Sequence, residues 1–148
     1  MKIIVRSESF RVTTLGSAWG VVYLSFGDDI HYPSAIWDDL VFAVIERWGQ
    51  QLLELANPKR RSFALSFMDG PYKVMFQRTD TSWMAIPNLS AGTIICNRSY
   101  PIEIDELIKS YIVCGEMCLS AIDRLGKPQG ELVAIERIAE MLTRLRPV

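Results

Sequence analysis

At 148 residues, 49% hydrophobic and 22% charged, the chain has the length and balance of one domain, residues 1–148, with its own core, which excludes a disordered or low-complexity protein. Sixteen basic residues against seventeen acidic ones leave a formal charge of −1, so there is no general attraction to phosphate backbones, and the basic run Lys59-Arg60-Arg61 is too short for a binding stripe; no nucleic-acid partner is expected. The apolar stretch after Met1-Lys2 is too short for a signal-peptide core, and Leu40 to Ile45 is flanked by Asp38, Asp39, Glu46 and Arg47, so neither export nor a membrane span is expected and the predicted location is the cytoplasm.

The N-terminal segment predicts strands at Ile3 to Val5 and at Phe10 to Val12, and a third at Trp19 to Phe26. That third segment is apolar on both faces and should be central. Ser34, after Pro33, has the hydroxyl of a helix N-cap, and the apolar stripe Ile36, Leu40, Val44, Trp48 and Leu52 predicts a long helix from about Ala35 to Ala56, stopped by Asn57-Pro58. Arg61 to Thr79 reads as a hairpin turning at Asp69-Gly70-Pro71, and Ser82 to Ile86 and Thr93 to Cys96 extend it as a meander. A second helix follows Pro101, ends at Gly126, and is succeeded by a third from about Gly130 to Leu145. The expected class is therefore α+β: an antiparallel sheet of five to seven strands, one long helix after the N-terminal strands, and two C-terminal helices.

Residues with chemistry to offer mostly have simpler structural roles. Three cysteines, Cys96, Cys114 and Cys118, lack the paired spacing of a zinc site. Cys114 and Cys118 lie one helical turn apart, but their apolar neighbours make them small buried hydrophobes, so no metal is expected. His31 is the sole histidine and lies near Asp28 and Asp29, yet Ser34 is better spent on the helix cap and no nucleophile elbow or glycine-rich phosphate loop occurs. Neither catalytic residues nor a cofactor are predicted, and the chain is not expected to be an enzyme.

A binding role has more to draw on. Asp28, Asp29, Asp38, Asp39 and Glu46 concentrate negative charge around the start of the first helix, where Asp38 and Asp39 would at the least complement its dipole. Of the four tryptophans, Trp19 and Trp48 sit inside apolar stripes, whereas Trp37 and Trp83 are the candidates for an exposed anchor. The predicted partner-binding set is therefore Asp28, Asp29, Trp37, Asp38, Asp39, Glu46 and Trp83, an acidic and aromatic surface suited to a basic protein.

Two segments, Tyr32-Pro33-x3-Trp37-Asp38-Asp39-Leu40 with Trp48 following, and Phe67-Met68-Asp69-Gly70-Pro71-Tyr72, resemble small bacterial immunity proteins of polymorphic-toxin and contact-dependent growth inhibition systems. The resemblance spans roughly Tyr23 to Phe76. It implies a non-catalytic cytoplasmic protein that binds and neutralises the C-terminal domain of one cognate toxin, and it assigns no toxin-contacting residue. Two other readings stay open: a small-molecule-binding or weakly enzymatic domain in which His31 and the nearby carboxylates share a pocket, and a homo-oligomeric structural subunit. A homodimer is compatible with any of them.

Overall fold

Residues 1–27, 29–89 and 98–146 are described by the computed structural model; Asp28, Cys96 and the strand expected at Thr93 to Cys96 lie outside them. The class is α+β, with the three helices in the expected order, and the described strands divide between two four-stranded antiparallel sheets rather than joining one. The first sheet holds β1 (Lys2–Val12), β2 (Ala18–Ser25), β3 (His31–Tyr32) and β4 (Asp38–Leu40); the second runs in order through β5 (Ser62–Ser66), β6 (Tyr72–Arg78), β7 (Trp83–Leu89) and β8 (Tyr100–Ile102).

β2 is the central strand, as its two apolar faces predict, pairing with β1 on one side and with both β3 and β4 on the other. The two short strands expected near the N-terminus are one strand, β1, interrupted by an irregularity between Arg6 and Arg11. There the Ser9 hydroxyl donates to the Arg6 carbonyl and accepts the Val21 amide hydrogen at 2.8 Å, filling a gap in the ladder. Phe10 turns inward over Gly20, where a Cβ would lie 2.3 Å from its ring; only glycine leaves room for that ring on a central strand.

The first helix starts later than its cap signal suggests. α1 spans Val41–Leu53, while Ser34 closes a single turn by accepting the Trp37 amide at 3.2 Å, and Asp38–Leu40 extends as β4. The cause is the open side of β2. β3 pairs with Leu24 and Ser25, β4 with Trp19 to Val21, and the Trp37 carbonyl accepts the Val22 amide at 2.9 Å. A helix beginning at Ala35 would leave those buried backbone groups without partners, a larger cost than one lost cap. Ile36, expected on the helix stripe, is instead 75% exposed. Beyond Val41 the stripe holds: Phe42, Val44, Ile45, Trp48 and Leu52 are buried, and the Trp48 indole donates to the Ser66 carbonyl at 2.8 Å, fastening α1 to β5.

α2 (Ile104–Ser120) lies along the outer edge of β1 and satisfies it with side chains. Ser110 Oγ accepts the Ile3 amide at 2.9 Å, and the Cys114 thiol, one turn on, donates to the Ile3 carbonyl at 3.3 Å. The helix ends at Ser120, before the expected Gly126, which instead takes a positive φ of 72° at the end of the following turn. α3 (Leu132–Leu145) then packs on α1 and α2. The three helices meet at Gly49, where a Cβ would stand 2.0 Å from Tyr111 Oη and 2.7 Å from Met141 Sδ. The Tyr111 hydroxyl is buried there without a hydrogen-bond partner among the described residues.

This crossing yields a paired prediction. Gly49→Ala should overpack the junction and cost about 1–3 kcal/mol, lowering the thermal midpoint by several degrees. Tyr111→Phe should melt at or above the parent temperature, because it removes an unsatisfied buried hydroxyl. Circular-dichroism melts of the two variants check both directions.

Candidate functional site

The two segments that carry the resemblance lie about thirty residues apart in sequence and meet in space around one carboxylate. On β4, alternation of side chains sends Asp38 and Asp39 to opposite faces. Asp39 points inward and is fully buried. Its Oδ1 accepts the amide hydrogens of Leu40 at 2.7 Å and Asp69 at 3.0 Å; its Oδ2 accepts those of Met68 at 2.9 Å and the Trp37 indole at 3.2 Å. Burial pushes the Asp39 carboxyl above its ordinary range, against the downward pull of those four N–H groups.

Aromatic rings enclose this centre. Trp37 meets Tyr72 edge-on at 4.7 Å and Phe67 at 6.3 Å, and its indole rests against Gly70, whose φ of 74° turns the β5–β6 hairpin. Tyr32, preceding a cis Pro33, stands edge-on to Phe67 and Tyr72 and donates its hydroxyl to the Asn88 carbonyl at 2.5 Å. Burial pushes the Tyr32 phenol up to about 12. Next in sequence to these residues, and forming the rim of the centre, Ile36 beside Trp37 is 75% exposed, Met68 beside Phe67 is 37% exposed, and Asp69 is exposed.

The acidic surface expected from the sequence does not assemble. Asp39 is inside and cannot meet a partner. Asp38 forms a two-pronged pair with Arg11 of β1, one contact at 2.8 Å. Glu46, on α1, accepts from Arg137 of α3 at 2.7 Å and from Gln50 at 3.0 Å. Asp29 is exposed in a turn, and Asp28 lies outside the described residues. The two candidate tryptophans also separate: Trp37 packs by Tyr72 at the start of β6, whereas Trp83 pairs with Arg78 at its far end and leans edge-on against Phe63.

The potential reactive groups are embedded too. The half-buried His31 packs on the Tyr23 ring at 5.2 Å, its buried Nδ1 without a partner among the described residues. Burial pushes the Cys114 thiol up to about 12 and the Cys118 thiol well above its ordinary range, so both stay protonated at neutral pH. Among the described residues, no three His, Cys, Asp or Glu side chains gather as a metal site, and no helix is long and apolar enough to cross a membrane.

Sequence reasoning missed a second buried carboxylate. Glu131 ends a single 3₁₀ turn, Gln129–Glu131, and its Oε1 accepts the Ala18 amide hydrogen at 2.9 Å, docking the entry to α3 against β2. Gly130 lies so close to Gly16 that a Cβ would stand 2.9 Å from the Gly16 carbonyl oxygen. The Gly130-Glu131 pair after Pro128 was the available signal, but it reads as an ordinary helix start. Burial, with the charge of Glu46 adding to it, raises the Glu131 carboxyl above its ordinary value.

Comparison with known protein families, with curated proteins and with solved structures finds no match.

Two outcomes follow from the buried carboxylates. Asp39→Asn keeps the shape but turns an amide NH₂ toward amide donors; it should cost about 2–3 kcal/mol and lower the melting temperature by several degrees. Glu131 carries the opposite sign. A carboxyl raised by folding takes up its proton more readily in the native state, so its contribution favours folding at acid pH and is lost as pH climbs from the ordinary glutamate value through the raised one. Glu131→Gln keeps the acceptor for Ala18 without ionising, so it should unfold at higher urea than the parent at pH 7. That advantage should vanish at pH 4 and below, as urea titrations across the range would record.

Proposed function

We propose that this chain is a non-catalytic binding protein that neutralises a cognate bacterial toxin domain in the cytoplasm by occluding it, docking through the outer rim of the Asp39 centre. The observation that carries this reading is the convergence of the two resembling segments on one fixed carboxylate. A rim held by four N–H donors and interlocked rings presents Ile36 and Met68 with little conformational entropy left to lose on binding. An isoleucine 75% exposed on a loop so tightly tied down does no work in the core and is suited to a partner's pocket.

The reading replaces the acidic docking surface with an apolar and aromatic one. Co-expression with the C-terminal domain encoded immediately upstream should rescue growth and yield a one-to-one complex on purification. In that complex Ile36→Asp should weaken affinity by at least about tenfold while leaving the melting temperature of the free protein unchanged. Absence of both rescue and complex would remove the toxin-neutralising role; an unweakened Ile36→Asp complex would move the interface elsewhere.

A further inference from the structure

Of the carboxylates expected to make this protein's charged surface, Asp38 and Glu46 are held in ion pairs and Asp39 is buried, whereas a local excess of positive charge lies elsewhere, beside α1. A groove of about 820 Å³ opens beside the C-terminal end of α1, lined by Gln50, Leu53, Glu54, Lys59, Arg60 and Arg144. Gln50 also lines a smaller hollow of about 290 Å³ that continues along α1 past Arg47 and Arg137 to Met68, the rim residue of the Asp39 centre. Through Gln50 the two hollows adjoin along the α1–α3 seam, a channel in two parts. From Ala43 to Glu54 the helix advances about 16 Å, the length of about five residues of extended chain.

Cations dominate this channel. Arg47, Lys59, Arg60, Arg137 and Arg144 line it against Glu46 and Glu54, which are already paired with Arg137 and Arg60, and Glu140 of α3 adds a third carboxylate close enough to act on Arg137. Arg47, Lys59 and Arg144 form no ion pair among the described residues. Arg60 is held in place from three directions: it donates to Glu54, to Gln51 Oε1 at 2.7 Å and to the Ser62 carbonyl at 3.1 Å. A guanidinium fixed in this way, with further N–H groups to give, has already lost the side-chain entropy that a flexible arginine would lose on binding.

We propose that the α1–α3 channel receives an extended acidic segment of a partner protein, its carboxylates set against Lys59, Arg60 and Arg144 and its chain leading to the Ile36 and Met68 rim. This rests on the reading of the chain as a protein binder and specifies the partner's chemistry, reversing the basic partner expected from sequence. A peptide fits better than a nucleic acid, since Leu53 contributes apolar wall, the channel spans few residues, and the whole chain carries a charge of −1.

The test titrates the full-length protein into a fluorescein-labelled hexaglutamate peptide at low salt and follows fluorescence anisotropy. Saturable binding that weakens with added salt is expected, and Lys59→Glu/Arg144→Glu, both exposed positions, should weaken it at least about tenfold. Lys2→Glu/Lys109→Glu, which makes the same change in net charge on β1 and α2, should leave affinity within about twofold. No saturable binding, or equal loss in both double variants, would overturn the proposal. So would an unlabelled hexathymidylate that displaces the labelled peptide at lower concentration than unlabelled hexaglutamate, which would assign the channel to nucleic acid. Because no toxin is used, failure here alongside growth rescue would sink the channel and spare the toxin-binding reading. Peptide binding without rescue would do the reverse.

Discussion

A single buried carboxylate imposes the constraint on which the rest of this architecture turns. Among the described residues no strand of the first sheet pairs with a strand of the second, so something else must register them. Asp39 does so, taking two N–H groups from its own neighbourhood and two from the backbone of the β5–β6 hairpin. Stripping a carboxylate of water costs several kcal/mol, and only several charge-assisted hydrogen bonds together offset that. The donors therefore act as a set. If the hairpin moved away, the carboxylate would lose half its partners, which couples the position of one sheet to the folding of the other. The Tyr32 hydroxyl on the Asn88 carbonyl and the Trp48 indole on the Ser66 carbonyl pin the same junction from either side.

Elsewhere the fold repeats this device, in which one polar side chain ends a backbone ladder that another element would otherwise have to continue. Glu131 closes the start of β2 from the entry to α3, and Ser110 and Cys114 close the edge of β1 from α2. An open edge eleven residues long would invite pairing with another chain, and a helix laid along it removes part of that hazard. Cys114 is thus accounted for by a hydrogen bond and by packing. A protonated thiol that donates to a carbonyl serves here, and a reactive thiolate would not.

The parts of the fold legible in the sequence are those set by local periodicity. The two-faced β2, the Phe63 to Phe76 hairpin and the stripe from Val44 to Leu52 each encode their own exposure pattern, and the structure follows it. The start of α1 was not legible, because Ser34 and the stripe through Ile36 favour helix locally while the unpaired side of β2, some fifteen residues earlier, claims residues 37–40 for pairing. Tertiary demand outweighed one cap. The division into two sheets was hidden for a similar reason: alternation reveals a strand but not its neighbour. Of the candidate site, the segments holding Trp37, Asp39 and Phe67 were visible as words, but not that Asp39 is the atom-level link between them. A run of aspartates looks like a surface because carboxylates usually are one.

The charge distribution shows why a linear reading misplaces a docking surface. Carboxylates adjacent in sequence share a strand or a turn, so alternation and short-range pairing disperse them: one inward to backbone amides, one outward to Arg11. The channel's cations without an ion pair among the described residues, Arg47, Lys59 and Arg144, come from α1, the loop after it and the far end of α3, and are brought together by helix packing. A net charge of −1 conceals both facts, since it counts paired and unpaired groups alike. What a partner senses at contact distance is the unpaired remainder, because an ion pair on the surface has already spent most of its field on its own counter-charge. Along the seam of α1 and α3, Arg47, Lys59 and Arg144 form no ion pair among the described residues, and Met68, in the β5–β6 turn held by Asp39, lines the same hollow as Arg47. The carboxylate that joins the first sheet to the β5–β6 turn thus also holds Met68, which lines the hollow beside α1, so the interior of the protein fixes part of that surface.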